Sequence, residues 1–170
     1  MTDTVELAAA PEPVPFDPLL RATVEDFYYR YASACDRTDF DAILDCFTEQ
    51  GEYLLTTFEN ARGQGLLLVA DRSHAALRER LAYLGGYWNL HRSKTSHLIS
   101  NVRVVGRQGE ALAVQAVMWL SKLDHDGASR FHVSAEYDDL LVPDGDSWAF
   151  ARHSVVLDGE TLPSDLTDLL

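Results

Sequence analysis

The stretch Asp71-Arg-Ser-His-Ala-Ala-Leu-Arg-Glu-Arg-Leu-Ala-Tyr-Leu84, running on through Trp88 and His91 to Thr95-Ser-His-Leu-Ile-Ser-Asn-Val-Arg-Val104, is where the chain changes period. Its first half is an arginine-rich amphipathic helix and its last part is a strand that begins near a histidine. Asp71 before it and Gly85-Gly86 after it bound the helix to about 71–84. Beyond it, β-rich runs at 96–105, 111–123, 130–142 and 147–157 are separated by Gly106-Arg-Gln-Gly109, Asp124-His-Asp-Gly127 and Pro143-Asp-Gly-Asp146, all turn-forming.

Toward the N-terminus the pattern is helical. Leu20, Val24, Phe27, Tyr28, Tyr31 and Ala34 recur at helical spacing and predict a helix near 18–35, with Thr23-Val-Glu-Asp26 as capping box or first turn. Thr38 reads as the cap of a short helix from Asp39 to Phe47, ended by Gly51, and Tyr53 to Phe58 reads as a strand. Helices first and a long meander second mean α+β: three N-terminal helices on one face of a curved antiparallel sheet, a cone with an internal pocket. Residues 1–17, with Pro11, Pro13 and Pro15, form an extended, mobile acidic arm, and 18–170 form one domain.

Composition sets the outer bounds. A chain of 170 residues that is 46% hydrophobic and 24% charged can bury one core. Its net charge of -13 argues against nucleic acid, whose phosphates need clustered Lys and Arg. Most of that charge lies in the ends, since 1–17 and 158–170 carry four acids each and no base. Cys35 and Cys46 suit a reducing cytoplasm and read as two small buried thiols. No apolar run is long enough to span a bilayer, and neither a membrane span nor a secretory signal is expected.

Three residues converge on the expected pocket: Asp36 at the end of the first helix, His97 at the start of the strand after the third helix, and Tyr53 on the first strand. A carboxylate holding the far nitrogen of a histidine poises the ring for proton transfer near neutral pH. The same two residues have a structural use, Asp36 closing the turn between helices and His97 bonding within a polar core. The aromatics Tyr28, Tyr29, Tyr87, Trp88 and Trp119 belong to core or interface, with Tyr29, Trp88 and Trp119 as positions lining the pocket. His91, Arg92 and Lys94 form a basic cluster suited to an acidic partner surface. Leu162, Leu166, Leu169 and Leu170 form an apolar series suited to contact with neighbouring subunits. His74 reads as solvated, His125 lies in a turn, and His132 and His153 alternate on strands, so no metal site is expected.

The order of elements resembles the nuclear-transport-factor-two-like (SnoaL-like) cone fold of ketosteroid isomerase, scytalone dehydratase, polyketide cyclases and the small subunits of aromatic-ring-hydroxylating dioxygenases. Phe27-Tyr-Tyr-Arg-Tyr-Ala-Ser-Ala-Cys-Asp36, Phe40-Asp-Ala-Ile-Leu-Asp-Cys-Phe47, Gly51-Glu-Tyr53, the segment His97 to Arg103 and Arg152-His-Ser-Val-Val-Leu-Asp158 are similar to the last group. Many of those subunits have arginine where His97 stands, and histidine there resembles the salicylate-, anthranilate- and terephthalate-type subset. The resemblance implies a non-catalytic small subunit with no cofactor of its own, cytoplasmic, in a mixed hexamer of three large and three small subunits with homo-trimer contacts. The Rieske cluster and mononuclear non-haem iron would lie on the large (alpha) partner, since they need paired Cys and His motifs and a two-histidine, one-carboxylate triad. Scytalone dehydratase supplies the enzymatic alternative, a dehydratase, cyclase or isomerase in which Asp36 orients His97 as acid–base catalyst. Its second histidine has no counterpart here, where Gln115, Val117 and Trp119 occupy the region.

Overall fold

The structure, a computed structural model, describes residues 10–63, 65–88, 94–160 and 169–170. Helix α1 (Pro18–Arg37) starts where Asp17 accepts the backbone N–H groups of Leu19 and Leu20 at 2.9 and 3.3 Å, with Pro18 in the first turn. The start signal is therefore Asp17-Pro18. Thr23, expected in a capping box, lies inside the helix and donates its hydroxyl to the Leu20 carbonyl. Thr38 also changes role. It closes α1 in the left-handed conformation, φ 55°, and Asp39 caps α2 (Phe40–Leu44) by accepting from the Ala42 N–H.

Strand β1 (Phe47–Thr57) begins earlier than the pattern suggests and runs through Gly51. The glycine sits at an irregularity in the pairing between Phe47 and Glu52, and a Cβ there would lie 2.7 Å from the Phe150 carbonyl oxygen. It serves backbone approach and not helix termination. After β1 come α3 (Phe58–Arg62), β2 (Val69–Asp71) and α4 (His74–Trp88). The first two are too short to show a period in sequence. Helix α4 continues past Gly85-Gly86, because Gly85 lets the ring of Phe40 in α2 come so close that a Cβ would be 2.7 Å from it. Strands β3 (Thr95–Gln108), β4 (Ala111–Leu123), β5 (Ser129–Asp144) and β6 (Ser147–Leu157) complete the expected meander.

The six strands form one sheet in the order β2-β1-β6-β5-β4-β3. All neighbours are antiparallel except β1 and β6, which run parallel. The described part of the arm is not loose throughout: Glu12 exchanges two 2.8 Å backbone hydrogen bonds with Arg107 on edge strand β3. That contact covers part of an edge that would otherwise offer unpaired backbone groups.

Period-two alternation decides what faces the core. On β4, Leu112, Val114, Ala116, Met118 and Leu120 point inward, and on β5 Ala135, Tyr137 and Leu141 do so. Val24, Phe27, Tyr28, Tyr31 and Cys35 of α1 pack into the same cluster. Each large apolar side chain taken out of water here contributes about 1.5–3 kcal/mol. No helix among the described residues is long and apolar enough to cross a membrane.

Candidate functional site

The last turn of α1 brings the Asp36 carboxylate against the first residues of β3. It accepts the backbone N–H of His97 with both oxygens at 3.1 Å and faces the ring Nδ1 at 2.7 Å. The His97 side chain is 1% exposed and that of Asp36 27%, so the pair sits at the rim with its ring turned inward. The far nitrogen, Nε2, lies 3.0 Å from the carbonyl oxygen of Leu169.

A second pair repeats this construction deeper in the cone. Asp139 on β5 and His153 on β6 have fully buried side chains, with Nδ1 2.9 Å from the carboxylate and Nε2 3.0 Å from the carbonyl oxygen of Leu170. Asp139 also accepts the Tyr28 hydroxyl at 2.6 Å and the Ser154 N–H at 2.9 Å. A sealed carboxylate is tolerable when its lone pairs are met in this way. The His153 ring stacks on Phe150 with centroids 4.4 Å apart and meets Tyr137 and Tyr31 edge-on at 4.6 and 5.1 Å.

Leu169 and Leu170 lie between the two pairs, 2% and 0% exposed. Tyr31 donates its hydroxyl to the Leu170 carbonyl at 3.1 Å, and the Leu170 N–H reaches the Tyr53 hydroxyl at 3.4 Å. Both rings thus have an oxygen within hydrogen-bond distance of each nitrogen. Burial pushes the hydroxyls of Tyr28, Tyr31, Tyr53 and Tyr137 well above the ordinary tyrosine range. For Tyr28 the neighbouring Asp139 adds to that shift.

The three residues placed together by sequence do surround one interior: Asp36 bonds His97, and Tyr53 reaches them through Leu169 and Leu170. Other expected positions fall elsewhere. Trp119 is 57% exposed on the outer face, since it is out of phase with Met118 and Leu120, and it contacts Phe131 edge-on. Tyr29 is 51% exposed and lines an open groove of about 500 Å³ with Arg30, Arg37 and Trp148. Neither lines the interior. Trp88 ends α4, but its side chain lies outside the described residues, as do His91, Arg92, Leu162 and Leu166. Lys94 is exposed beside β3, and its carbonyl accepts the Leu123 N–H. Leu169, expected at a subunit contact, is held inside the chain's own core.

Sequence reasoning missed the Asp139–His153 pair. Its signal is an acid in phase with Tyr137 and Leu141 on one strand and a histidine in phase with Val155 and Leu157 on the next. Among the described residues no group of three or more His, Cys, Asp and Glu side chains is placed to hold a metal ion. Cys35 and Cys46 are buried thiols outside any disulfide, and burial pushes Cys46 up to about 11, a donor set that does not fit a Rieske cluster.

The SnoaL-like domain model matches residues 19–154, and the chain belongs to that family. It is 28% identical over 149 residues to the anthranilate 1,2-dioxygenase small subunit of Acinetobacter baylyi, a match that covers 81% of this chain and 90% of the relative. Its fold is similar to a beta subunit assigned to an aromatic-ring-hydroxylating dioxygenase of Novosphingobium aromaticivorans, with TM-score 0.76 and 18% identity over 88% of this chain and 95% of the other. The beta subunit of benzoate 1,2-dioxygenase from Burkholderia mallei gives TM-score 0.73 and 18% identity over 92% and 99% of the two chains. At such identities the two structures speak for the cone fold alone.

Proposed function

We propose that this chain is the non-catalytic small subunit of an aromatic-ring-hydroxylating dioxygenase acting on an aromatic acid or related ring. Its large partner would carry the Rieske cluster and the mononuclear iron, three copies of each subunit forming the assembly in the cytoplasm. The observation that carries this reading is the state of the interior. A histidine that trades protons with a substrate needs a free Nε2, and in both pairs that atom is bonded to the chain's own carbonyl. The pairs act as internal braces, and the Asp36–His97 chemistry of a dehydratase or cyclase is set aside for that reason.

The outer face and the relatives support the same role. Leu98, Trp119 and Phe131 are 58%, 57% and 60% exposed, and Leu98 and Trp119 are direct cross-strand partners. Exposed aromatics of this kind are suited to a subunit interface. The test is native mass and iron content of the chain expressed alone and together with a Rieske-type large chain from the same source. A mixed assembly that contains iron only when the large chain is present is expected. A chain that stays apart from the large subunit would overturn the reading.

A further inference from the structure

The free edge of β3 is guarded in three different ways along its length. At its start the Asp36 carboxylate accepts the His97 N–H, and in the middle Asn101 takes the left-handed conformation, φ 53°, at a break in the β3–β4 pairing between Ser100 and Arg103. Near its end the guard is a separate segment, since Glu12 and Arg107 exchange backbone hydrogen bonds of 2.8 Å in both directions. Gly106 is the seat for that segment. It is buried and needs no left-handed backbone, yet a Cβ on it would lie 2.6 Å from the Glu12 carbonyl oxygen and 2.7 Å from the Pro11 Cβ. A glycine is therefore required by the approach of a second backbone and not by a turn. Pro11 and Pro13 flank Glu12 and have no N–H, so the segment pairs through one residue and offers no strand to anything beyond it.

Charge decides what else would fit there. Strand β3 carries Arg103 and Arg107, both exposed, and no acid, in a chain of net charge -13. Two copies pairing antiparallel over this stretch would set Arg103 of one against Arg107 of the other, which is unfavourable. An acidic segment is complementary, and the residue directly across from Arg107 is a glutamate. We propose that the β3 edge from Arg103 to Arg107 is a docking slot for an extended, acidic, proline-flanked segment of a partner protein, and that Pro11-Glu12-Pro13 is the built-in occupant it must displace. Backbone pairing supplies the grip, while the Gly106 seat and the two arginines supply the selectivity. The tether gives the chain's own segment a high effective concentration, so the slot stays closed to weak competitors. The slot is read from the isolated chain and is independent of the subunit role.

The test uses the full chain with Glu12→Pro, which removes the N–H of the built-in clip. The probe is a fluorescent peptide of the sequence at 10–17, followed by anisotropy. It should bind the variant at least about tenfold more tightly than the parent, and a peptide with lysine in place of its glutamate should bind about tenfold or more weakly. Adding Gly106→Val to the variant should abolish binding. If that chain does not fold, Arg103→Glu with Arg107→Glu takes its place and should turn the preference toward the lysine peptide. Equal affinity for parent and variant, binding that survives Gly106→Val, or indifference to peptide charge would overturn the proposal. So would a variant that associates with itself and ignores the peptide, since the edge would then belong to a second copy.

Discussion

The two histidine–aspartate pairs share one plan and differ in depth. Each histidine sets Nδ1 against a carboxylate and Nε2 against a main-chain oxygen of Leu169 or Leu170, yet Asp36 keeps 27% of its side chain in contact with solvent while Asp139 keeps none. Water can stand in for a lost bond at the rim and cannot do so in the sealed site. The same chemistry should therefore have two different energetic weights, and substitution can separate them.

Asp139→Ala is expected to have the larger effect. It leaves the Tyr28 hydroxyl, His153 Nδ1 and the Ser154 N–H without their acceptor in a site that excludes solvent. Loss of one member of a buried charged network costs about 3–5 kcal/mol, a large part of the stability of a domain this size. Urea unfolding measures it, and a loss below about 1 kcal/mol would show that the pair is not a brace. Asp36→Ala removes bonds to a ring and to one backbone N–H at a half-open rim, for about 1.5–3 kcal/mol. If the rim variant proves the more damaging, the ordering by depth fails.

The two pairs also differ in how readable they are. Asp36 and His97 lie at element boundaries, a helix end and a strand start, where polar residues stand out, and resemblance to a known acid–base pair drew attention to them. Asp139 and His153 lie mid-strand beside other polar residues, Asp138 on β5 and Arg152 and Ser154 on β6, and nothing in a single strand says that the two phases face each other. That requires the β5–β6 register, in which Leu140 pairs with Arg152 and an irregularity follows. The meander itself was legible because each turn carries its Gly or Asp signal. Gly51 and Gly85 misled for the opposite reason, since each permits a close tertiary approach that leaves no mark on its neighbours in sequence. Trp119 was assigned to the pocket on residue type, whereas its parity with Gln115 on β4 sends it outward.

Alkaline titration sharpens the contrast between interior and surface. Burial raises Cys46 from its ordinary value of 9.0 to about 11, so between those limits the native state holds a proton that the unfolded chain releases. More protons bound in the native state means that stability falls as pH rises, by about 1 kcal/mol for this thiol between pH 9 and 10. The buried tyrosines 28, 31, 53 and 137 shift in the same direction and add to the loss above pH 10. Tyrosinate absorbance from the four interior hydroxyls should rise only together with unfolding. A smooth titration of all tyrosines in a chain that remains folded would show an interior open to water.

The outer face should show the smallest effect on folding. Trp119 makes an edge contact with Phe131 at 5.5 Å and sits across from Leu98, but 57% of it is already in water, so little apolar burial is lost with it. Trp119→Ser is expected to change stability by less than about 1 kcal/mol, the scale of one aromatic contact at a surface. Its effect on association is a separate quantity, because an aromatic that is idle in the monomer becomes an anchor once a partner removes its water. Under the subunit reading the variant should fold as the parent does and lose about tenfold or more in affinity for its neighbours, read from native mass across a dilution series. Unchanged association would move the interface off this sheet face and onto other surfaces of the cone, leaving the two braced pairs as they are.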